Sequence, residues 1–325
     1  MSIDTQRIPP KTIQIYKRLL HRVSLNHPLH LEIKSKIKQM EAGYYGECYV
    51  DNFLKQVSFP KNHAILKDIH IPINDNLYLQ IDTLIITQKY IAVLEIKNIK
   101  GKVFFQRNPY QLVRELDGAI TTYKCPEQQL KRHIKKLQIL LKQSKVNIPV
   151  KGLIVFAYSK THIAQPPEFA KITMGCDITD HIDEYNEMSD VITSSTFHRL
   201  LGKITSKSTE FMPKPLAQTI HLDQTHIRKG LICPNCHLKI MNKKHCPTCK
   251  ISTKLMQQQA IEEWFYLFKN TITNRECIHY LELKDKFAAN HILTNLNLNR
   301  LNAHKNRCYT LSQSFWLTKD SSTRL

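Results

Sequence analysis

A chain of 325 residues with 42% hydrophobic content is long enough for two or three domains with genuine cores. No run approaches the eighteen apolar residues of a membrane-crossing helix, and Met1 to Arg7 lacks the apolar stretch of a secretion signal. The net charge of +20, from 47 Lys+Arg against 27 Asp+Glu, favours a phosphate-rich partner, although it also suits a merely soluble basic protein. A membrane surface is disfavoured, since no basic amphipathic helix with Trp or Phe anchors stands out. The nine cysteines include two Cys-x2-Cys pairs, which without a secretion signal favours metal over disulfides and a cytoplasmic setting.

Residues 10 to 40 read as helical. Pro9 and Pro10 precede a stripe of Ile13, Tyr16, Leu19 and Leu20; His27-Pro28 interrupts it, and Leu31, Ile33, Ile37 and Met40 resume it. A helix is expected to begin near Gly43 and to run towards Leu54. Two of the eight glycines, Gly43 and Gly46, stand here, where a backbone can approach closely, and Glu47 follows them. Ala64 to Ile73 reads as a strand ended by the Asn74-Asp75-Asn76 turn.

Gln80 to Thr87 and Tyr90 to Lys97 are two β-branched apolar runs separated by Gln88-Lys89, the pattern of a β-hairpin. Each run carries charge. Asp82 lies inside the first; Glu95 and Lys97 close the second and, two residues apart, project from one face. Charges are rarely buried without partners or a metal. The trio is therefore either a buried ion-pair cluster or a site in which carboxylates hold Mg²⁺ and a lysine orients a water.

A further strand, Lys102 to Phe105, stops at Asn108-Pro109. A helix starts at Pro126 and runs through Leu130, Ile134, Leu137 and Leu140, with Gln129 near its start and Arg132 and His133 on a solvated or phosphate-facing side. Gly152 to Ala157 is the next strand, and Phe197 to Leu201 a short closing helix. The order of helix, strands, helix, strand predicts an α/β fold with a mixed sheet flanked by helices.

Cys233-Pro234-Asn235-Cys236 and Cys246-Pro247-Thr248-Cys249 have the spacing of a tetrahedral Zn²⁺ site with four thiolates, with His237 or His245 as an alternative to one cysteine. Beyond them Ala260 to Phe268 reads as a core helix. Thr273-Asn274-Arg275-Glu276 is a capping box that opens a second helix, and Asp285 to Leu296 is a third. Arg307 to Leu311 reads as a strand, giving a winged helix-turn-helix-like order. Lys284, Lys286, Arg300, Lys305 and Arg307 gather where such a module contacts phosphates, or form a solvated basic surface.

The motifs Gly43-Tyr44-Tyr45-Gly46-Glu47, Gln80-Ile81-Asp82, Glu95-Ile96-Lys97-Asn98, Gly101 and Pro126-Glu127-Gln128-Gln129 stand in this order between about residues 40 and 160. In that order they resemble the nuclease-related domain (NERD) family of the PD-(D/E)xK nuclease superfamily; Cys125 stands where the family pattern has Asn. The resemblance implies a restriction-endonuclease-like fold and a Mg²⁺- or Mn²⁺-dependent nuclease acting on DNA. It implies a site of Glu47, Asp82, Glu95, Lys97 and Gln129, with Asp82 and Glu95 as the Mg²⁺ ligands. Five segments are expected: an N-terminal basic helical region (1–39), the nuclease-related domain (40–205), a linker (206–229), a zinc ribbon or knuckle (230–252) and a helical winged-helix-like domain (255–318). The alternative is a nucleic-acid-binding or scaffold protein in which the nuclease centre is inactive.

Overall fold

The computed structural model describes residues 2–74, 77–209, 214–220, 222–241, 243–301 and 307–312. In chain order, β1 (Ser2–Asp4), α1 (Lys11–Arg22) and α2 (Pro28–Leu54) come first, then β2 (His63–Asn74), β3 (Leu77–Thr87) and β4 (Ile91–Lys97). β5 (Lys102–Gln106), β6 (Gln111–Leu116) and β7 (Ala119–Lys124) precede α3 (Pro126–Gln143). β8 (Val150–Phe156), β9 (His162–Gln165), β10 (Lys171–Met174), α4 (Ile178–Asn186) and α5 (Ser194–Lys207) follow. The rest comprises β11 (Leu231–Ile232), β12 (Lys239–Ile240), α6 (Thr253–Leu267), β13 (Ile272–Thr273), α7 (Asn274–Leu281), α8 (Lys286–Asn295), β14 (Leu298–Leu301) and β15 (Cys308–Leu311). Two units result: Met1–Pro9 with Met40–Phe211, and Pro10–Gln39 with Met212–Leu325. Helix α2 contributes residues to both.

The first unit is built on a six-stranded sheet in the order β1-β2-β3-β4-β8-β10. β2, β3 and β4 are antiparallel neighbours, while β1, β8 and β10 add in parallel, so the sheet is mixed as expected. Alternation along β4 sends Ile91 and Val93 to one face, against Leu130 and Leu137 of α3 and Phe197 of α5. Ala92, Leu94 and Ile96 go to the other, against Val50 and Leu54 of α2 and Ile178 of α4. A strand covered on both faces reads as an unbroken apolar run, which is why this hairpin stood out in the sequence.

Two differences from the sequence reading have plain causes. The helix expected from Gly43 starts at Pro28 and runs through both glycines; the first helix already ends at Arg22, capped by the extended Val23, and Pro28 opens the second, where its missing N–H costs nothing. The strand at residue 102 belongs to a second sheet, β7-β6-β5-β9, whose strands β6 and β7 were not anticipated. Their side chains are mostly exposed or half-buried, so they lack the apolar signature of core strands.

In the second unit β11 and β12 form a short antiparallel pair around the first cysteine knuckle. Helix α6 is buried over most of its circumference from Ala260 to Leu267. Trp264 packs on Phe268 and Tyr280, so its aromatics serve the core. Glu263 in the same helix accepts from Arg22 of α1 at 2.7 Å, and Arg22 also donates to the carbonyls of Arg228 and Gly230. The capping box forms in full: Thr273 Oγ1 accepts from the Glu276 N–H, and Glu276 Oε2 accepts from the Thr273 N–H at 2.9 Å. The order α6, β13, α7, α8, β14, β15, with the sheet β13-β15-β14, is that of a winged helix-turn-helix. Among the described residues no helix is long and apolar enough to cross a membrane.

Candidate active site

The β3–β4 ladder pairs Ile86 with Ile91 and continues to Thr83 with Leu94. By the same register Asp82 and Glu95 face each other at the next position, where the backbone pairing ends. There the Asp82 carboxylate accepts the Ile96 N–H at 2.9 Å. Opposed residues of an antiparallel pair share a face, so the hairpin itself sets the two acids side by side. Lys97 Nζ donates to Glu95 Oε1 at 2.6 Å, bringing the third expected residue into the group.

Glu47 arrives from α2. The approach of this helix depends on Gly46: a Cβ there would lie 2.4 Å from the Asn98 Cβ, and Asn98 Nδ2 donates to the Ala42 carbonyl at 2.7 Å. The glycine motif and the asparagine after Lys97 are thus two halves of one contact between helix and sheet. Gly43 meets nothing within 4 Å at the corresponding position, so no such packing reason applies to it.

Arg7, a residue the sequence reading did not single out, is fastened into the same region. Its guanidinium donates to Glu47 Oε2 (2.8 Å), to both Asp51 oxygens (2.8 and 3.2 Å), to Asp68 Oδ1 (3.0 Å), to the Asp82 carbonyl (3.1 Å) and to Thr83 Oγ1 (2.8 Å). Asp68 has a φ of 52°, and the β2–β3 pairing skips from Lys67–Thr83 to Ile69–Ile81 around it. This local kink aims its carboxylate at Arg7. Asp51 and Asp68 are therefore charge partners of the site that no motif marked.

Helix α3 supplies the opposite wall. Gln129 and His133 are four residues apart and share a helical face. His133 Nδ1 lies 3.1 Å from Glu95 Oε2 without the alignment of a hydrogen bond. Glu95 Oε2 and His133 Nδ1 thus face each other as charge partners, whereas Gln129 Oε1 is buried with no hydrogen-bond partner among the described residues. A buried polar atom is seldom left so; the Gln129 oxygen is open to a water or another donor. Glu127, by contrast, is occupied structurally, its Oε1 accepting from the Phe169 and Ala170 N–H groups. Cys125 occupies the N-cap of α3 with no side-chain cap bond and is buried. Replacing the family's Asn there exchanges a cap for an apolar contact. Arg132 points to solvent.

The electrostatics follow from burial. Glu47 is pushed up to about 8, first by desolvation and then by Asp82, against the pull of Arg7, which is divided among several carboxylates. Asp82 is pushed up to about 6 by desolvation and by Glu95. Desolvation acts on Glu95 in the same direction, but His133 and Lys97 outweigh it and hold the carboxylate below its usual range. Lys97 is raised, since Glu95 and Asp82 overcome the effect of burial. Crowded carboxylates that resist ionising together are the condition a divalent cation relieves. Asp82 and Glu95 offer the carboxylate oxygens that such an ion takes. Among the described residues, however, the acids and histidines do not draw three ligand atoms within 4.8 Å of one another, as the four cysteines do. Arg7 and Lys97 hold Glu47 and Glu95 in ion pairs.

In the second unit Cys233, Cys236, Cys246 and Cys249 place their sulfurs within 4.8 Å of one another. The two knuckles have the same backbone. His237 and Lys250 adopt positive φ of 57° and 59°, and their N–H groups donate to the carbonyls of Cys233 and Cys246, each at 3.0 Å. The Cys249 N–H donates to Cys246 Sγ at 3.4 Å and lowers that thiol to about 7. Four convergent sulfurs with N–H groups turned inward are compatible with a structural zinc. His237 instead stacks on His21. Of the residues expected to meet phosphate, Lys284, Lys286 and Arg300 are exposed and Arg307 is half-buried. Lys305 lies outside the described residues.

Searches of curated proteins and of solved structures found no match. The family model of the nuclease-related domain matches residues 42–157. That span holds Glu47, Asp82, Glu95, Lys97 and Gln129, and this part of the chain is a nuclease-related domain.

Proposed function

We propose that the chain is a divalent-metal-dependent nuclease that hydrolyses phosphodiester bonds in DNA, with the zinc and helix-turn-helix region binding the nucleic acid. The observation that carries this reading is the opposition of Asp82 and Glu95 on adjacent strands, with Lys97 on Glu95, inside the stretch that matches the nuclease-related domain. Asp82 and Glu95 would hold Mg²⁺ or Mn²⁺, which when bound supplies positive charge to the scissile phosphate and acidity to a water. Lys97 Nζ, now on Glu95, is positioned to donate to the attacking water or to the charged phosphate oxygens as they develop. Gln129 Oε1 accepts from that water and fixes its direction. Glu47 sits behind Asp82 and answers to Arg7.

A second reading has its own support. Arg7 on Glu47 and Lys97 on Glu95 already neutralise the acids, as in a binding protein with a silent centre. The two readings separate when purified protein is incubated with plasmid, linear duplex and single-stranded DNA, with Mg²⁺, with Mn²⁺ or with chelator. The nuclease reading expects cleavage of at least one DNA only with metal. Binding without cleavage under every metal condition favours the silent centre.

A further inference from the structure

The charge of the C-terminal unit is unevenly placed. Between Gln224 and Ile261 stand seven lysines and arginines and no aspartate or glutamate. Between Thr273 and Leu301, which spans most of the winged module, four cations face three acids. There Lys284 lies 3.9 Å from the Asp285 carboxylate, and Glu282 is engaged by Lys239. The exposed side of α8 offers Lys286, Phe287, His291, Thr294 and Asn295, with a single lysine among them.

The zinc module is different. A depression of about 490 Å³ lies against the second knuckle, lined by Lys243, Lys244, His245, Cys246, Pro247 and Lys250. Its polar lining is cationic or neutral throughout. Lys250 Nζ donates to the Pro247 carbonyl at 3.0 Å, and its left-handed backbone turns the residue along the knuckle. Among the described residues Lys243, Lys244 and Lys250 have no acidic partner. A larger depression, of about 550 Å³, is also free of acids and takes in His21, His30, His226, Arg228 and His237 beside the first knuckle. An exposed cluster of unpaired cations on a scaffold with no counter-charge is the footprint of a bound polyanion.

We propose that Lys243, Lys244 and Lys250 on the second cysteine knuckle form the principal contact of the C-terminal unit with the phosphodiester backbone of a nucleic acid, ahead of the lysines of the winged module. The inference rests on the nucleic-acid reading above and names the surface that serves it. Contacts of this kind position a backbone and carry no base sequence.

The test uses the full-length zinc-loaded protein and fluorescein-labelled 30-mers of duplex DNA, single-stranded DNA and RNA, titrated from about 50 to 200 mM salt, the range over which binding to phosphates weakens most steeply. Zinc content and far-UV circular dichroism establish that each variant is folded. The triple variant K243A/K244A/K250A is expected to bind duplex more weakly, with a log–log salt slope shallower by about 2 to 3, since each neutralised phosphate contributes about −0.9. K284A/K286A should change the slope less. A triple variant that binds with unchanged affinity and slope while the wild type binds overturns the assignment. So does equal competition by an unlabelled mononucleotide, which would indicate a single-phosphate pocket. A wild type that neither binds nor cuts any of these nucleic acids overturns the broader reading as well, so the two failures are distinguishable.

Discussion

Arg7 shows what a linear reading passes over. Its partners lie 40 to 76 residues away in the chain, so no spacing could have marked it, and it stands outside the stretch that matches the nuclease-related domain. Asp82, Glu95 and Lys97 were legible because an apolar run makes a charge conspicuous. Asp51 and Asp68 were not, since an acid near a helix end or in a kinked strand is ordinary until its partner is known. The crowding of acids around Arg7 has a consequence for stability. Glu47 and Asp82 have folded-state pKa values raised to about 8 and about 6, in each case first by desolvation and then by a neighbouring carboxylate, Asp82 for Glu47 and Glu95 for Asp82. Between the unfolded value of 4.5 and about 8, the native state holds a Glu47 proton that the unfolded state has released. Stability of the metal-free protein should therefore fall as pH rises through that window. Denaturant unfolding at successive pH values, with chelator present, measures this. Glu47→Gln should flatten the fall. Arg7→Met should steepen it and cost about 3–5 kcal/mol near pH 8, the usual penalty when one partner leaves a buried ion pair. A wild-type profile that rises from pH 5 to pH 8 would contradict the assignment.

At the scale of elements, the sequence marked those whose pattern matches their burial. The hairpin, helix α3, the capping box at Thr273 and the two knuckles all carry their own local signals. β6 and β7 do not, because their side chains stay mostly at the surface, and β1 and β10 are three and four residues long. The knuckles also have little besides their cysteines to hold them. β11 and β12 have two residues each, too few to hold a hairpin by themselves. A zinc held by the four thiolates would supply the folding energy that these strands lack. Elemental analysis of purified protein should find about one zinc per chain, the stoichiometry of four thiolates around one tetrahedral ion. Cys233→Ser should lower zinc content and open residues 230 to 250 to limited proteolysis. Zinc-free protein with this segment still protected would exclude a structural metal.

For the whole molecule, the surplus of positive charge seen in composition is spread over both units: residues 224–261 carry seven lysines and arginines with no acid, and residues 124–151, around helix α3, carry eight with one acid. The two units are also not consecutive in sequence: residues 10 to 39 group with the C-terminal part, and Arg22 of α1 is bound to Glu263 of α6. Removing everything after about residue 220 would strip α1 of that partner, so point variants are the cleaner way to separate binding from cutting. The central claim is that Asp82, Glu95 and Lys97 form a hydrolytic centre. Its most direct test is the single-turnover cleavage rate of Lys97→Ala with Mg²⁺ or Mn²⁺, on whichever DNA the wild type cuts, with DNA binding measured in parallel. The account predicts unchanged binding and a rate lower by about 100-fold or more, the scale of removing a positioned donor to the developing charge. Cleavage at the wild-type rate would contradict it.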